Sequence, residues 1–547
     1  MDCLARRLAP VVFASVLVAC GESSVSVDAG VGVESSDGSS DAMVFEPVYF
    51  ASSSSTGETP AGMPKYSFAE PPEGGASSIA EESKYSFAEP LEGGASSIAD
   101  VPEMHVSSSS YSADPMPNNG VPYIRIVAED ATVLTRTDSL EKPEYIGCTI
   151  EVAGNGKYTD IPLRAAKIKQ RGNSTRLWYD KKPYRIKFLE KTEMFGLAAN
   201  KDWVLLANFR DPTNLMNALA FDIAREMGNF NFVNANRFVE VEINGDYKGL
   251  YQLTEQVEQA ENRVNVAADG VLLSLDQDDG PELSPDAADN FWSATYKLPV
   301  AVKYPKTLAE GDLERIRTDF KRLEDAIATA DYDAVQALLD VRTFMDFLIL
   351  QEITRNVELE APRSMYLHKA SAEGKYVFGP VWDFDGGFGY SWNEETKEYF
   401  GSQSWILGST NPSGSPFNCT ADKKNDWGMC TAGTSGGRGG FGGFGANAWD
   451  GSGASGFFTN LFSNAQFLAD YKARWAELAP KISALVSERL NVYLTENAVA
   501  MANDAARWPW PESKNNTGKN SAAAAQDLEM WMQKRISDYG AVVDGYY

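Results

Sequence analysis

Histidine is nearly missing from this chain: among 547 residues there are two, His105 and His368. Ser-His-Asp triads, Cys-His dyads and His-rich zinc sites all need imidazole. His105 lies in a low-complexity stretch, so those chemistries are reduced to one candidate, and carboxylates, lysines and arginines must carry any reaction. Positive charge is also scarce. The net charge is -27, and an acidic surface repels nucleic acid and anionic lipid, so no nucleic-acid partner is expected. Beyond the first residues, no run is long and apolar enough to cross a bilayer.

Cysteine is sparse too, with five in the chain. Cys20 closes Leu17-Val18-Ala19-Cys20, which follows the basic pair Arg6 and Arg7 and the apolar run 8–19. That pattern resembles a bacterial lipobox at the end of a signal peptide (1–20), with Cys20 as the lipidated residue. The plainer alternative is an ordinary signal peptide with a chance cysteine. Gly21 rather than Asp follows, which favours the outer membrane or the cell surface. In an oxidising compartment Cys419 and Cys430, which bracket a polar loop, are candidates for a disulfide. Cys148 sits in the alternating run IGCTIEV and is expected to be a buried free thiol.

Residues 21–120 are rich in Ser, Gly, Ala and Pro and carry 16 acidic residues against two lysines, which predicts a disordered tether. Within it a 19-residue unit occurs twice, at 65–83 and 84–102. Two short copies make no solenoid. They are a duplicated spacer or, alternatively, an adhesive or phosphoacceptor motif.

The body is expected over 121–547, with a Gly-rich insertion at about 401–456. Alternation predicts strands at 122–128, 146–152, 161–171 and 183–189, and a hairpin turning at Asn244-Gly245-Asp246. Helices are expected at 212–227, with Pro212 in the first turn, and at 307–329, 341–355, 457–475, 480–506 and 522–540. Two short strands, 364–369 and 375–382, lie between them. A β-rich half followed by a helical half reads as an α+β, two-lobed body.

Two charged constellations stand out. Residues 163–191 hold ten Lys or Arg against Asp180 and Glu190. Lys167, Lys169 and Arg171 share one strand face, and Arg185 and Lys187 share another. The loop between, Arg171-Gly172-Asn173-Ser174-Thr175, offers backbone N–H groups and a guanidinium to an oxyanion. Alternatively, the stretch is a solvated face that pairs with acids elsewhere. The second constellation is VWDFDGGFGY (381–390), where Asp383 and Asp385 at a strand end would point the same way and Trp382 and Phe384 would pack. Paired carboxylates facing a cleft suit Mg²⁺; equally, they are turn formers ahead of Gly386-Gly387. Upstream, FMDFLILQEITRN ends at Asn356 and is followed by Glu358. A helix-end acid ahead of Asp-x-Asp follows the logic of phosphoryl transfer, where one acid orients the acceptor and another holds the metal. Paired acids and abundant Trp and Tyr also fit carbohydrate handling, although aromatics are more often core.

With these motifs in view, the sequence resembles the CotH family, the spore-coat-protein-H-like atypical kinases. The matching stretches are RGNSTRLWYDKKPYRIKF (171–188), WVLLANFRDPTNLMNALAFDIAREMG (203–228), VEINGDYKGLYQLTEQV (241–257), QEITRNVE (351–358), GPVWDFDGGFG (379–389) and FFTNLFSNAQFLADYKARWAEL (457–478). The resemblance implies a divergent protein-kinase-like fold that uses ATP and Mg²⁺ to phosphorylate Ser or Thr of exported proteins. By position it implies that Arg171, Gly172, Asn173, Ser174, Thr175 and Lys187 contact phosphates. It likewise implies that Asp383 and Asp385 hold the metal, and that Asn356 and Glu358 belong to the catalytic segment. The chain departs from the family in two places. Glu358 stands where Asp is usual, one methylene longer, and Ser364 stands where some members keep Asn. A catalytically weak or inactive surface-binding protein on the same fold is therefore the alternative.

Overall fold

The first half of the body is built by period-two alternation, which puts every second side chain on one face. The computed structural model describes residues 114–136, 143–278, 281, 287–359, 362–389, 400, 405, 407, 452–509 and 520–545. Cys20, the tandem repeat, Cys419 and Cys430 lie outside the described residues. Seven strands close into a barrel: β1 (Tyr123–Ala128), β2 (Ile146–Ala153), β3 (Ile161–Gln170), β4 (Tyr184–Met194), β5 (Leu197–Leu206), β6 (Arg237–Ile243) and β7 (Asp246–Glu255). Their order is β1-β2-β3-β4-β5-β7-β6, and the parallel pair β1/β6 closes the ring and removes the edges. Ile126, Ile150, Ile168, Ile186, Trp203, Val241 and Leu253 fill the interior. Cys148 is a buried free thiol, as expected, and burial pushes its pKa up. The outward positions of β3 and β4 pair Lys167 with Lys187 and Lys169 with Arg185.

A second sheet, order β12-β11-β8-β10-β9, is made from β8 (Val271–Leu275), β9 (Asn290–Trp292), β10 (Pro299–Tyr304), β11 (Met365–Lys369) and β12 (Val377–Phe378). The helices are α1 (Ser174–Trp178), α2 (Met216–Met227), α3 (Asp312–Ala328), α4 (Tyr332–Leu338), α5 (Val341–Thr354), α6 (Ser452–Thr459), α7 (Ala465–Arg507) and α8 (Ser521–Asp544). The architecture is mixed α+β, β-rich first and helical towards the C-terminus. Among the described residues no helix is long and apolar enough to cross a membrane.

Helix α5 is the pillar of the second half. Asp340 caps it by accepting from the backbone N–H of Arg342 (3.1 Å) and Thr343 (3.2 Å). Every residue of α5 except Arg342 is buried, as for a helix apolar on all sides. Its two buried acids are matched: Asp346 meets Arg474 at 2.7 Å and Glu352 meets Arg535 at 3.1 Å.

Several expectations need correction. The strands β5, β8, β9 and β10 and the helix α4 are additions. β8 (VLLSL) is buried on both faces, so apolar residues stand at adjacent positions and the alternation is lost. The helix expected from 212 begins at Met216. Asp211 takes the backbone N–H groups of Thr213 and Met216, both at 2.7 Å, and leaves Pro212 in the turn before it. The two helices expected at 457–475 and 480–506 are replaced by α6 and one uninterrupted helix, α7, which contains Pro480. An interior proline costs about 3 kcal/mol. The stripe Tyr471, Trp475, Leu478, Ile482, Val486 and Leu490 buries on both sides of Pro480 and offsets that cost.

Candidate functional site

Strand β12 ends at Phe378, so the strand-end geometry expected for Asp383 and Asp385 does not hold. Asp383 adopts a left-handed conformation (φ 63°), which Asp tolerates better than most residues, and the chain turns there. Trp382 and Phe384 are nonetheless buried, as expected. The turn is fixed through its backbone. Asn356 donates Nδ2–H to the Asp383 carbonyl (3.1 Å), and Phe384 donates its N–H to Asn217 Oδ1 (2.7 Å). Ser364 donates its hydroxyl to Asp383 Oδ2 (3.3 Å), and Arg210 Nη1 lies 3.7 Å from Asp385 Oδ1. Burial holds the Asp383 carboxyl well above its ordinary range; Asp385 and Glu358 add to this and Arg171 opposes it.

Glu358 enters from the end of α5. Arg355 closes that helix in a left-handed conformation (φ 47°), and a 3-10 turn, Val357–Leu359, follows. The Glu358 backbone N–H is donated to Asn356 Oδ1 (3.3 Å), so Asn356 ties Glu358 and Asp383 together. Glu358 Oε2 is buried and has no hydrogen-bond partner among the described residues. Burial pushes its carboxyl up to about 7; Arg363 and Arg210 pull it down, and Asp278 and Asp385 push it further up.

The basic loop reaches the same place. The Arg171 guanidinium lies 5.4 Å from the centre of the Trp382 ring, beside the acidic turn. Burial lowers its pKa, and the nearby Asp383 and Asp385 are among the groups that hold it charged. Gly172 has φ +78°, and a Cβ there would fall 2.8 Å from Thr175 Oγ1, so glycine is required. Asn173 donates to Asp278 Oδ2 (3.2 Å), and Ser174 opens α1. Lys187 stands apart: it is half-exposed on the barrel's outer face, 3.6 Å from Asp202. The rest of the basic stretch divides. Lys181 is fully buried against Asp504 (2.7 Å), Lys182 donates to the Arg176 carbonyl (2.7 Å), and Arg185 grips Asp202 (2.7 Å). Lys181 and Arg185 thus pair with acids elsewhere, but Lys181 and Lys182 are buried rather than on a solvated face, and Lys182 is held by backbone carbonyls.

The family profile described as CotH kinase protein matches residues 168–538. This chain belongs to the CotH kinase family. A comparison with curated proteins finds no match. The CotH match runs from within β3 into α8 and includes Arg171, Glu358, Asp383 and Asp385. Strands β1 and β2, which complete the barrel, precede it.

Mg²⁺, which the CotH family implies, can be tested against these residues. Among the described residues no group of three or more His, Cys, Asp or Glu is gathered as for an all-protein metal site. Mg²⁺ needs less, one or two carboxylates with substrate phosphates. Asp385 is buried and Asp383 partly so, on one turn two residues apart, and two carboxylates so placed favour a cation beside them. The donor set fits. A cavity of roughly 560 Å³ between α4, α5 and α7, lined by Tyr332, Arg342, Asp470 and Arg474, contains none of these acids.

Sequence reasoning passed over Arg210, Asn217, Asp278 and Arg363. Arg363 Nε lies 3.3 Å from Asp278 Oδ1, which also accepts from Asn173 through its other oxygen. The signal for Asp276 and Asp278 was available, an apolar strand followed at once by a second Asp-x-Asp. His368 proves to be a core residue: Nδ1 is 3.1 Å from the Gly379 carbonyl, and burial lowers its pKa.

Proposed function

We propose that this CotH-family chain is an exported atypical protein kinase. It passes the γ-phosphate of ATP to Ser or Thr hydroxyls of secreted or envelope proteins, while lipid on Cys20 anchors it at the outer membrane or cell surface. One observation carries the reading: Arg171 after β3, Glu358 after α5 and Asp383 and Asp385 after β12 interact electrostatically at one place, although they are far apart in sequence. We read the barrel and the helical half as the two lobes of a divergent kinase-like body, although a closed seven-stranded barrel is not the usual kinase arrangement.

In this reading the residues divide the work. Arg171 and the 172–175 backbone bind phosphate oxygens, and Lys187 adds positive charge on the barrel face. Mg²⁺, held by Asp383 and Asp385, would neutralise charge on the phosphates. Glu358 Oε2 takes the proton of the acceptor hydroxyl as its oxygen bonds to phosphorus and the bond to the ADP oxygen breaks. A carboxyl at about 7 is close to the best value for a general base at neutral pH. Asn356 fixes Glu358 and the Asp383 carbonyl relative to each other.

The second reading, a surface-binding protein on an inactive kinase-like body, is favoured by Glu at 358. Misplacement by about 1 Å can cost on the order of 10²-fold in rate. Labelled ATP with the full chain and dephosphorylated casein separates the two. Label in casein or in the chain itself, lost in Asp385→Ala, supports the kinase. A folded chain that transfers nothing supports the binding protein.

A further inference from the structure

A line of buried amides, so far without a role, starts between the two aspartates. Asn217, which accepts the Phe384 N–H, donates Nδ2–H to Asn208 Oδ1 (3.1 Å). Asn208 donates to Gln252 Oε1 (3.0 Å), and Gln252 donates to Asn236 Oδ1 (2.7 Å). Asn236 donates to Asp222 Oδ1 (3.0 Å). Asp222 is held in turn by Tyr493 (2.5 Å) and Arg489 (2.8 Å) from α7 and by Arg225 (2.6 Å) from its own helix. Every amide accepts on oxygen and donates from nitrogen in one direction. Both ends enforce it: a backbone N–H must meet an oxygen, and a carboxylate accepts only. Flipping any one amide would set oxygen against oxygen in a buried place.

We propose that this chain of amides is a positioning device for the acidic turn, with Asn217 as its positioning residue. It rests on the reading of Asp383 and Asp385 as metal ligands. Two carboxylates two residues apart on one turn repel each other, and Asp383 already sits at a positive φ. The amide line ties the backbone between them to β7, α2 and α7, so their spacing is set by the barrel and the longest helix. Partners one step removed from a metal typically change its affinity 10–100-fold when lost.

The test is the affinity of the full chain for Mn²⁺ with a non-hydrolysable ATP analogue, together with hydrogen exchange at the Phe384 amide. Asn217→Leu is expected to weaken Mn²⁺ about 10–100-fold and to speed exchange at Phe384. Gln252→Met, two links away, is expected to shift both in the same direction by less, and it decides the matter if Asn217→Leu does not fold. Unchanged Mn²⁺ affinity in the folded variants overturns this proposal alone. Absence of Mn²⁺ binding by the unaltered chain overturns the metal reading and this proposal with it.

Discussion

Helix α5 and the residues just past its end treat buried acids in opposite ways. Inside the helix, Asp346 and Glu352 each have an arginine within 2.7 to 3.1 Å, and the arginines spend their other N–H groups on carbonyls of Met227, Glu352 and Ile353. Beyond it, burial pushes the carboxyls of Glu358 and Asp383 up, the nearby Asp385 adds to both, and Glu358 Oε2 has no hydrogen bond among the described residues. The helix acids are neutralised by the fold. The acids past its end have looser partners: Arg210 Nη1 lies 3.7 Å from Asp385 Oδ1, and Arg171 and Arg363 only oppose the effect of burial on Asp383 and Glu358.

Breaking each side of this comparison has a different result. Glu358→Gln is expected to lower phosphate transfer by about 10²–10⁴-fold while the protein stays folded, measured with labelled ATP. Transfer by the unaltered chain should rise with pH through about 7 and then level, because the carboxylate is the base. Arg535→Leu is expected to cost about 3–5 kcal/mol in denaturant unfolding, since it leaves Glu352 charged and buried without its partner.

The contrast sharpens with pH. A folded carboxyl raised to about 7 from its ordinary 4.5 stabilises the fold at low pH, and that contribution is lost as pH rises from 4.5 through 7. Glu358→Gln is therefore expected to gain about 2–3 kcal/mol relative to the unaltered chain between pH 4.5 and 8, measured as the difference between their unfolding curves. The smallest effect belongs to Lys187→Ala. Its half-exposed pair with Asp202 should change stability by less than about 1 kcal/mol.

Most of the barrel was legible because its strands alternate between interior and solvent, as in Ile150 and Ile168. The second sheet was not, because β8 is covered on both faces and loses the alternation that marks a strand. Pro480 was misleading because local chemistry stops helices, and here burial along α7 outweighs it. At the site, Arg171, Glu358, Asp383 and Asp385 were legible from residue type, spacing and resemblance to the CotH family. Arg210 and Asn217 were not, since nothing in a single polar side chain, before the expected helix or on it, says that packing will bury it beside the acidic turn. The division of the basic stretch was also hidden, because Asp504, which claims Lys181, lies more than 300 residues further along the chain.

The most direct test is calorimetric titration of ATP into the chain, with and without Mg²⁺, for the unaltered protein and Asp385→Ala. The account predicts binding that requires Mg²⁺ and disappears in the variant. ATP binding indifferent to Mg²⁺ and to Asp385, or none by a well-folded protein, would contradict it.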